Sequence, residues 1–325
     1  MRLILDLASL FIRGTTLMFG LVGAVIGLAC MGGMFSDRLD ALTHFAPLWL
    51  LCGLATLALA TAFSRDAERK VFLGLAAVAI VCNSALIIPE LLSAGRPMAP
   101  AKAGATLKII QFNAWASNED PQTTLAWLLA QKADVVVLEE GGGGAWPVVS
   151  GLSKAYPAST KCPSKHGCDT WIFSRWPIAA SGQYAQSGFG LPGAWATLSH
   201  PGGGFTVAGA HFVWPYPAGR QQAQTDTLVK ALARFPHDTL IVTGDFNSTP
   251  WSFTLRRRDK ALGLDRRTRA LASWPSGAFS RVATAPFPVF PIDHVYAGKA
   301  WKTVSVERGP TLGSDHRPVV ATLTR

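Results

Sequence analysis

Apolar and polar positions are distributed so unevenly along this chain that its first hundred residues and the remainder read as two kinds of protein. Three runs without Asp, Glu, Lys or Arg come first: Thr15 to Phe35 (TTLMFGLVGAVIGLACMGGMF), Ala46 to Phe63 (APLWLLCGLATLALATAF) and Val71 to Ile88 (VFLGLAAVAIVCNSALII), the last followed by Pro89. A helix crossing a bilayer core needs about 20 apolar residues, with a range of roughly 17–25. Three such runs in series, with short polar joints, predict transmembrane helices over about 15–35, 46–63 and 71–88. A cleaved signal peptide would account for the first run alone. Residues 1–92 are therefore expected to be a membrane anchor, and the Ala-, Pro- and Gly-rich stretch 93–105 a linker.

From 106 to 325 the pattern changes. Strand-like segments (LKIIQFNAW, ADVVVLEE, TWIFSRWPI, GAWATLSH, FTVAGAHFVW, DTLIVTGDFN, DHVYAG, RPVVATLT) alternate with helix-like ones (PQTTLAWLLAQK, GAWPVVSGLSKAYP, GRQQAQTDTLVKALARF, PWSFTLRRRDKALG). Mixed elements over this length predict an α/β domain with two sheets packed together and helices outside.

Charge follows the same division. Residues 1–100 hold 7 Lys/Arg and 6 Asp/Glu, whereas the rest holds 23 and 14. A basic domain favours anionic partners, whether phosphate esters, anionic lipid or nucleic acid. The basic residues of the short joints lie before the first run (Arg2, Arg13) and between the second and third (Arg65, Arg69, Lys70), which assigns those ends to the cytoplasm. Three spans then place the domain outside, in the periplasm or at the cell exterior. Cys30, Cys52 and Cys82 each fall in an apolar run, while Cys162 and Cys168 share the loop KCPSKHGC. In an extracytoplasmic domain such a pair reads as a disulfide; two free thiols or a partial metal site are the alternatives.

The chemistry-bearing residues gather at strand ends: Asn113, Glu140, His211, Asp245 with Asn247, Asp293 with His294, and Asp315 with His316. Each has an ordinary explanation singly, as a turn residue, a cap or a satisfied core histidine. Together, carboxylates and an amide suit a hard divalent cation, and two His with an orienting Asp suit proton handling. The inventory points to metal-assisted hydrolysis of a phosphoester or pyrophosphate. Phosphate-loop, zinc-protease and serine-hydrolase motifs are absent from the sequence.

In chain order, LKIIQFNAWA, ADVVVLEE, IFSRWPI, AHFVWP, TGDFNSTPWS, IDHVYA and GSDHRPVVATL resemble the motifs of the endonuclease/exonuclease/phosphatase superfamily, with its DNase I-like fold, over roughly 106–325. The resemblance implies a four-layer α/β/β/α sandwich preceded by the three transmembrane helices, and dependence on Mg²⁺ or Mn²⁺. It implies that Asn113 and Glu140 hold the metal with support from Asp315, that Asp245 orients or activates water, and that Asn247 contacts phosphate. His316, paired with Asp293, acts as base or positions phosphate, and His211 stabilises or protonates on the other side. Glu139 departs from the family, which often has Gln there, and is expected to raise a neighbouring pKa.

Three spans before such a domain resemble the membrane-anchored members associated with glycopeptide resistance, which act on polyprenyl pyrophosphate carriers. The leading expectation is a phosphohydrolase of a lipid-linked phosphate at the outer face of the inner membrane. The basic stretch Leu255 to Arg269 either faces anionic lipid or is a solvated helix face. An anchored nuclease acting on nucleic acid, and a non-catalytic binding domain of the same fold, are the alternatives.

Overall fold

The structure, a computed structural model, describes every residue except 96–97, 101–105, 163–167, 185–189 and 281–282. Most of the expected linker therefore lies outside the described residues. The chain divides into two compact units: Met1–Ser93 with Tyr216–Gly219 and Pro250–Arg256, and Ala94–Pro215 with Arg220–Thr249 and Arg257–Arg325.

The first unit contains α1 (Arg2–Met31), α2 (Asp37–Thr43), α3 (Ala46–Phe63) and α4 (Asp66–Ala94). Three of its helical stretches are long and apolar enough to cross a membrane. Two of them outrun the charge-free runs: the first begins at Arg2, and α4 continues through Pro89 to Ala94. Charged residues at the ends of a helix do not stop its backbone hydrogen bonding, so the apolar run marks only the part that lipid can surround. The buried face of α1 is made of small residues, Thr16, Gly20, Gly23, Ala24, Gly27 and Cys30. A Cβ at Gly23 would lie 3.0 Å from the Ala79 Cβ, so glycine there allows close helix approach.

In the second unit the chain runs β1 (Thr106–Asn113), α5 (Pro121–Ala130), β2 (Val135–Glu139), α6 (Trp146–Ala155), β3 (Ala158–Lys161), β4 (Trp171–Ser174), β5 (Ile178–Gln183), β6 (Gly193–Leu198), β7 (Phe205–Ala210), α7 (Arg220–Leu232) and β8 (Ile241–Asp245). It continues with α8 (Phe253–Leu262), whose first turn belongs to the first unit, then β9 (Asp265–Arg266), β10 (Gly277–Ser280), β11 (Ala283–Ala285), β12 (Asp293–Ala297), β13 (Lys302–Arg308) and β14 (Val319–Thr324). One six-stranded sheet has the order β13-β14-β1-β2-β4-β3 and the other β5-β6-β7-β8-β12-β9; β10 and β11 form a separate hairpin. The β1–β2 and β7–β8 pairs are parallel and the remaining pairs antiparallel. These mixed sheets with flanking helices form the expected α/β sandwich.

Alternation along the strands builds the layers. Leu107, Ile109, Val135 and Val137 of the first sheet join Val207, Ile241, Val295 and Ala297 of the second in one core between the sheets. The intervening Ile110, Phe112, Val136 and Leu138 pack with Leu128, Val148, Val149 and Leu152 of α5 and α6. Strands buried on both faces explain the near-continuous apolar runs.

Two sequence expectations are corrected. The stretch TWIFSRWPI is not one strand: β4 ends at Ser174 in one sheet and β5 begins at Ile178 in the other. The Ser174 hydroxyl accepts the Trp176 N–H at 3.0 Å, and Pro177 offers no N–H to a ladder, so the chain turns between layers there. The polar joint between the first two apolar runs carries a helix, α2. The basic stretch Leu255 to Arg269 is not a solvated face at Arg258 and Arg266. Arg258 is fully buried, its guanidinium carbon 3.8 Å from the Phe212 ring centre, and Nε donates to Thr225 Oγ1 at 2.9 Å. Arg266 is buried against Asp259 at 3.2 Å.

Within the first unit, Asp40 of α2 is buried and accepts the backbone N–H groups of Phe253 at 2.8 Å and Thr254 at 2.7 Å. One carboxylate thus satisfies two of the orphan donors that open α8. Trp251 and Phe253 pack there with Cys30, Ala46, Leu86 and Ile87. In the second unit Cys162 and Cys168 are joined as a disulfide with their Cα atoms 5.9 Å apart.

Candidate functional site

The core between the sheets is apolar along most of its length and polar at one end, and the strand period places that change. On β1 the inward series continues from Ile109 to Gln111 and Asn113; on β2 it continues from Val137 to Glu139. On β8 it runs from Ile241 through Thr243 to Asp245, and on β12 it begins at Asp293. Asn113 is the register partner of Glu139, and Asp245 that of Asp293.

His316, buried, bridges the acidic pair. Its Nδ1 is 2.8 Å from Asp293 Oδ2 and its Nε2 is 3.6 Å from Asp245 Oδ2. Ligand-capable atoms of Asp245, Asp293 and His316 all lie within 4.8 Å of one another. His211, one residue beyond β7, reaches the same carboxylate from the other side, with Nε2 3.7 Å from Asp245 Oδ2 and 3.9 Å from Glu140 Oε1. Asn113 Nδ2 donates to Glu140 Oε1 at 3.0 Å and to Asp245 Oδ2 at 3.2 Å. Asn113, Glu140, His211, Asp245, Asp293 and His316 are thus brought together.

Backbone geometry sharpens the placement. Glu140 has φ +53° and Asn247 φ +44°, a region that β- and γ-substituted residues enter at a cost, and both flank the acidic cluster. Gly244 has φ +150°, and a Cβ on it would overlap the Ala210 carbonyl oxygen, so the TGDFN turn requires glycine. Asn247 stabilises the turn itself: its N–H donates to Asp245 Oδ1 at 2.9 Å, and Nδ2 donates to the Phe212 carbonyl at 2.9 Å and to Asp245 Oδ2 at 3.4 Å. His294 lies outside the cluster. Its Nε2 faces the Ser248 carbonyl at 2.9 Å, and a carbonyl only accepts, so Nε2 carries the proton while Nδ1 accepts from Thr268 at 3.1 Å. Burial and nearby Arg266 push its pKa well down, which fits a neutral brace for this turn.

Electrostatics assign different states to these groups. Burial drives Asp245 up to about 6, Asp293 adds to this, and His316 and His211 oppose it. Burial also opposes ionisation of Asp293, yet His316 and hydrogen bonds from Ser273 and Gln111 hold it below the usual carboxylate range. For His316 burial favours the neutral ring, but Asp293 and Asp245 outweigh it and raise the pKa to about 10. At neutral pH His316 is an imidazolium paired with Asp293. A charged ring suits holding phosphate charge.

Gln111 is a site residue that sequence reasoning missed. It is buried, and its Nε2 donates to Asp293 Oδ1 at 2.7 Å and to Glu139 Oε2 at 3.1 Å. The available signal was a polar residue on the inward face of an apolar strand, two positions before Asn113. Glu139 is fully buried, and burial with nearby Asp293 and Asp245 raises its own pKa well above the usual value. A raised pKa favours the neutral carboxyl, which shares the size and shape of a Gln side chain.

Asp315 stands at the edge of the cluster. Its Oδ2 accepts from Trp274 Nε1 at 3.0 Å, and its buried Oδ1 has no hydrogen-bond partner among the described residues. Burial raises its pKa, with Glu140 and Asp293 contributing in the same direction. Glu140, Asp245, Asp293 and Asp315 give an oxygen-rich donor set with an unpartnered carboxylate oxygen, and that set fits a hard divalent cation.

Comparison with known proteins agrees with this fold. No curated protein sequence matches the chain. Among solved structures, TDP2 of D. rerio complexed with a single-strand DNA product is similar over 68% of this chain and 99% of that one, at 15% identity and TM-score 0.54. The human nocturnin catalytic domain with bound sulfate covers 73% of this chain and 98% of that one, at 18% identity and TM-score 0.52. A Staphylococcus aureus beta toxin mutant with bound magnesium ions covers 66% and 99%, at 14% identity and TM-score 0.51. These likenesses establish the fold. The sequence profile of the Endonuclease/Exonuclease/phosphatase family, whose enzymes hydrolyse phosphoesters with divalent metals, matches residues 110–316. Most of the chain is covered by that match, from β1 to His316, and the chain belongs to this family.

Proposed function

We propose that this protein is a membrane-anchored, Mg²⁺-dependent phosphohydrolase that cleaves a phosphoester or pyrophosphate bond of a lipid-linked phosphate at the outer face of the inner membrane. The observation that carries the hydrolytic reading is the Asp245–Asp293–His316 cluster, buried at the polar end of the core between the sheets. The anchored, lipid-directed part is supported by three helices long and apolar enough to cross a bilayer. The basic residues of the joints favour the orientation with the catalytic residues outside.

Asn113, Glu140 and Asp315 would hold the cation, with Asp245 beside them. A bound cation supplies charge neutralisation at phosphoryl oxygens and acidifies coordinated water. The residues of the chain do the rest. Asp245, ionised above about pH 6, orients the attacking water and takes its proton. His316, kept cationic by Asp293, stabilises the charge that builds on the phosphoryl oxygens. His211, partly exposed opposite His316, donates to the leaving oxygen. Asn247 fixes Asp245 through its backbone N–H and side-chain amide. Gln111 fixes Asp293 from behind.

A nuclease reading finds less support, because the basic run that would track a phosphate backbone has Arg258 and Arg266 buried. The test is a panel of polyprenyl diphosphate, phospholipid and DNA offered to the full-length protein in detergent with Mg²⁺. Phosphate release from the lipid diphosphate is the expected result. Cleavage of DNA alone would reject the reading.

A further inference from the structure

Beside the catalytic cluster an aromatic ladder leads outward. Its inner rung is Trp274, whose Nε1 donates to Asp315 Oδ2 at 3.0 Å. Trp214, three residues beyond His211, meets Trp274 edge-to-face with ring centres 5.6 Å apart and planes at 81°. Phe290 lies 5.7 Å from Trp274 between ring centres. Backbone hydrogen bonds fix this arrangement: Val289 N–H and Phe290 N–H both donate to the Trp274 carbonyl, at 3.0 and 2.7 Å. Along 287–290 the chain alternates, so Phe287 and Val289 point to solvent on either side of buried Pro288. Trp214 is 58% exposed, Phe287 64% and Val289 46%. Large apolar side chains exposed together beside a catalytic site mark a place where something apolar is bound.

We propose that this ladder is the subsite for the hydrocarbon chain of the substrate, which seats against Trp214, Phe287 and Val289 while the phosphate lies at Asp315 and His316. The inference rests on the lipid-phosphate reading above and names the residues that would make it selective. Three observations choose lipid over nucleobase as the occupant. The exposed set includes aliphatic Val289, and Trp214 and Trp274 meet edge to face rather than as parallel open platforms, whereas bases stack on open ring faces. Two guanidinium groups are held on the segment that carries Trp274: Arg317 Nε donates to Ser276 at 3.1 Å and an Arg308 guanidinium N–H donates to the Ala272 carbonyl at 2.9 Å. Cation beside apolar wall complements an anionic head on a hydrocarbon tail. Finally, the same chain carries helices suited to a bilayer, so a lipid phosphate is a substrate its tether keeps at high local concentration.

The experiment compares wild type, the Trp214→Ala/Phe287→Ala double variant and Trp214→Phe, all full length in lipid nanodiscs. Each receives a long-chain polyprenyl diphosphate, a short soluble prenyl diphosphate and a single-stranded oligonucleotide. The ratio of kcat/KM for the long chain over the short chain is expected to fall about tenfold in the double variant, mainly through KM, as expected for lost apolar contact. Trp214→Phe should recover most of it. An unchanged ratio, or equal loss on both diphosphates, overturns the inference while leaving the lipid-phosphate reading intact. Selective loss of oligonucleotide cleavage overturns it in favour of base stacking. Wild type that releases phosphate from neither diphosphate overturns the reading itself and the inference with it.

Discussion

In α1 the outward side chains are large, with Leu10 68%, Phe11 74% and Leu28 59% exposed, and the buried ones are small. In the sandwich the order is reversed: Ile109, Val137, Val207 and Ile241 are fully buried and solvent meets polar groups. The two units turn their large apolar side chains in opposite directions. Where lipid surrounds a helix, apolar contact with neighbours gains little, and close packing of small residues holds the helices together. Where water surrounds a sheet, apolar burial is the driving force, and a polar residue on the inward face must be partnered or functional. That contrast is why Gly23 and Asp245 are the informative residues of their units.

The largest break in the comparison comes at the polar end of the sandwich. Asp245→Ala or His316→Ala is expected to lower kcat/KM by about a thousandfold or more; the melting temperature should change little for Asp245→Ala, which relieves repulsion with Asp293, and fall for His316→Ala, which leaves Asp293 without its cation. Steady-state kinetics beside a thermal melt checks both halves. In the first unit, Gly23→Leu should cost roughly 1–3 kcal/mol by forcing α1 from Ala79, whereas Leu28→Ala on the exposed face should stay within about 0.5 kcal/mol. Unfolding in mild detergent separates the two. Asp40→Ala removes the acceptor for two N–H groups at the start of α8, and about 1–2 kcal/mol of stability should go with it. Asp40→Asn should restore part of the loss, since it keeps one oxygen acceptor. The smallest effect belongs to Glu139→Gln. Gln keeps the size and shape of the neutral carboxyl that burial favours, so activity should stay within about threefold of wild type, and a loss comparable to that of Glu140→Ala would show that the charge of Glu139 is needed.

Much of this architecture was legible because its signals are local. Lengths of charge-free sequence located the three long helices, and positions at strand ends together with the family resemblance marked Asn113, Asp245 and Asp293. The points that escaped depend on tertiary context. Whether TWIFSRWPI is one strand or a crossover is decided by which sheet each half joins. Arg258 and Arg266 look like surface charge in sequence, yet Phe212 and Thr225, from segments far from α8, enclose Arg258, and Asp259 of α8 itself pairs with Arg266. Gln111 and Glu139 need each other and Asp293, and only the β1–β2 and β8–β12 registers bring them together.

The central claim is that the polar end of the core between the sheets is a metal-dependent hydrolytic centre using the Asp245 carboxylate. Its most direct test is hydrolysis of bis(4-nitrophenyl) phosphate by the full-length wild type and Asp245→Asn, measured against pH with EDTA or increasing Mg²⁺. Asp245 works ionised, so wild-type activity should fall as pH drops toward and below about 6. The acid limb should move lower as Mg²⁺ rises, because the cation favours the charged carboxylate. No alkaline loss from His316 is expected until about pH 10. EDTA and Asp245→Asn should each abolish turnover. Activity that survives both EDTA and Asp245→Asn would contradict the account.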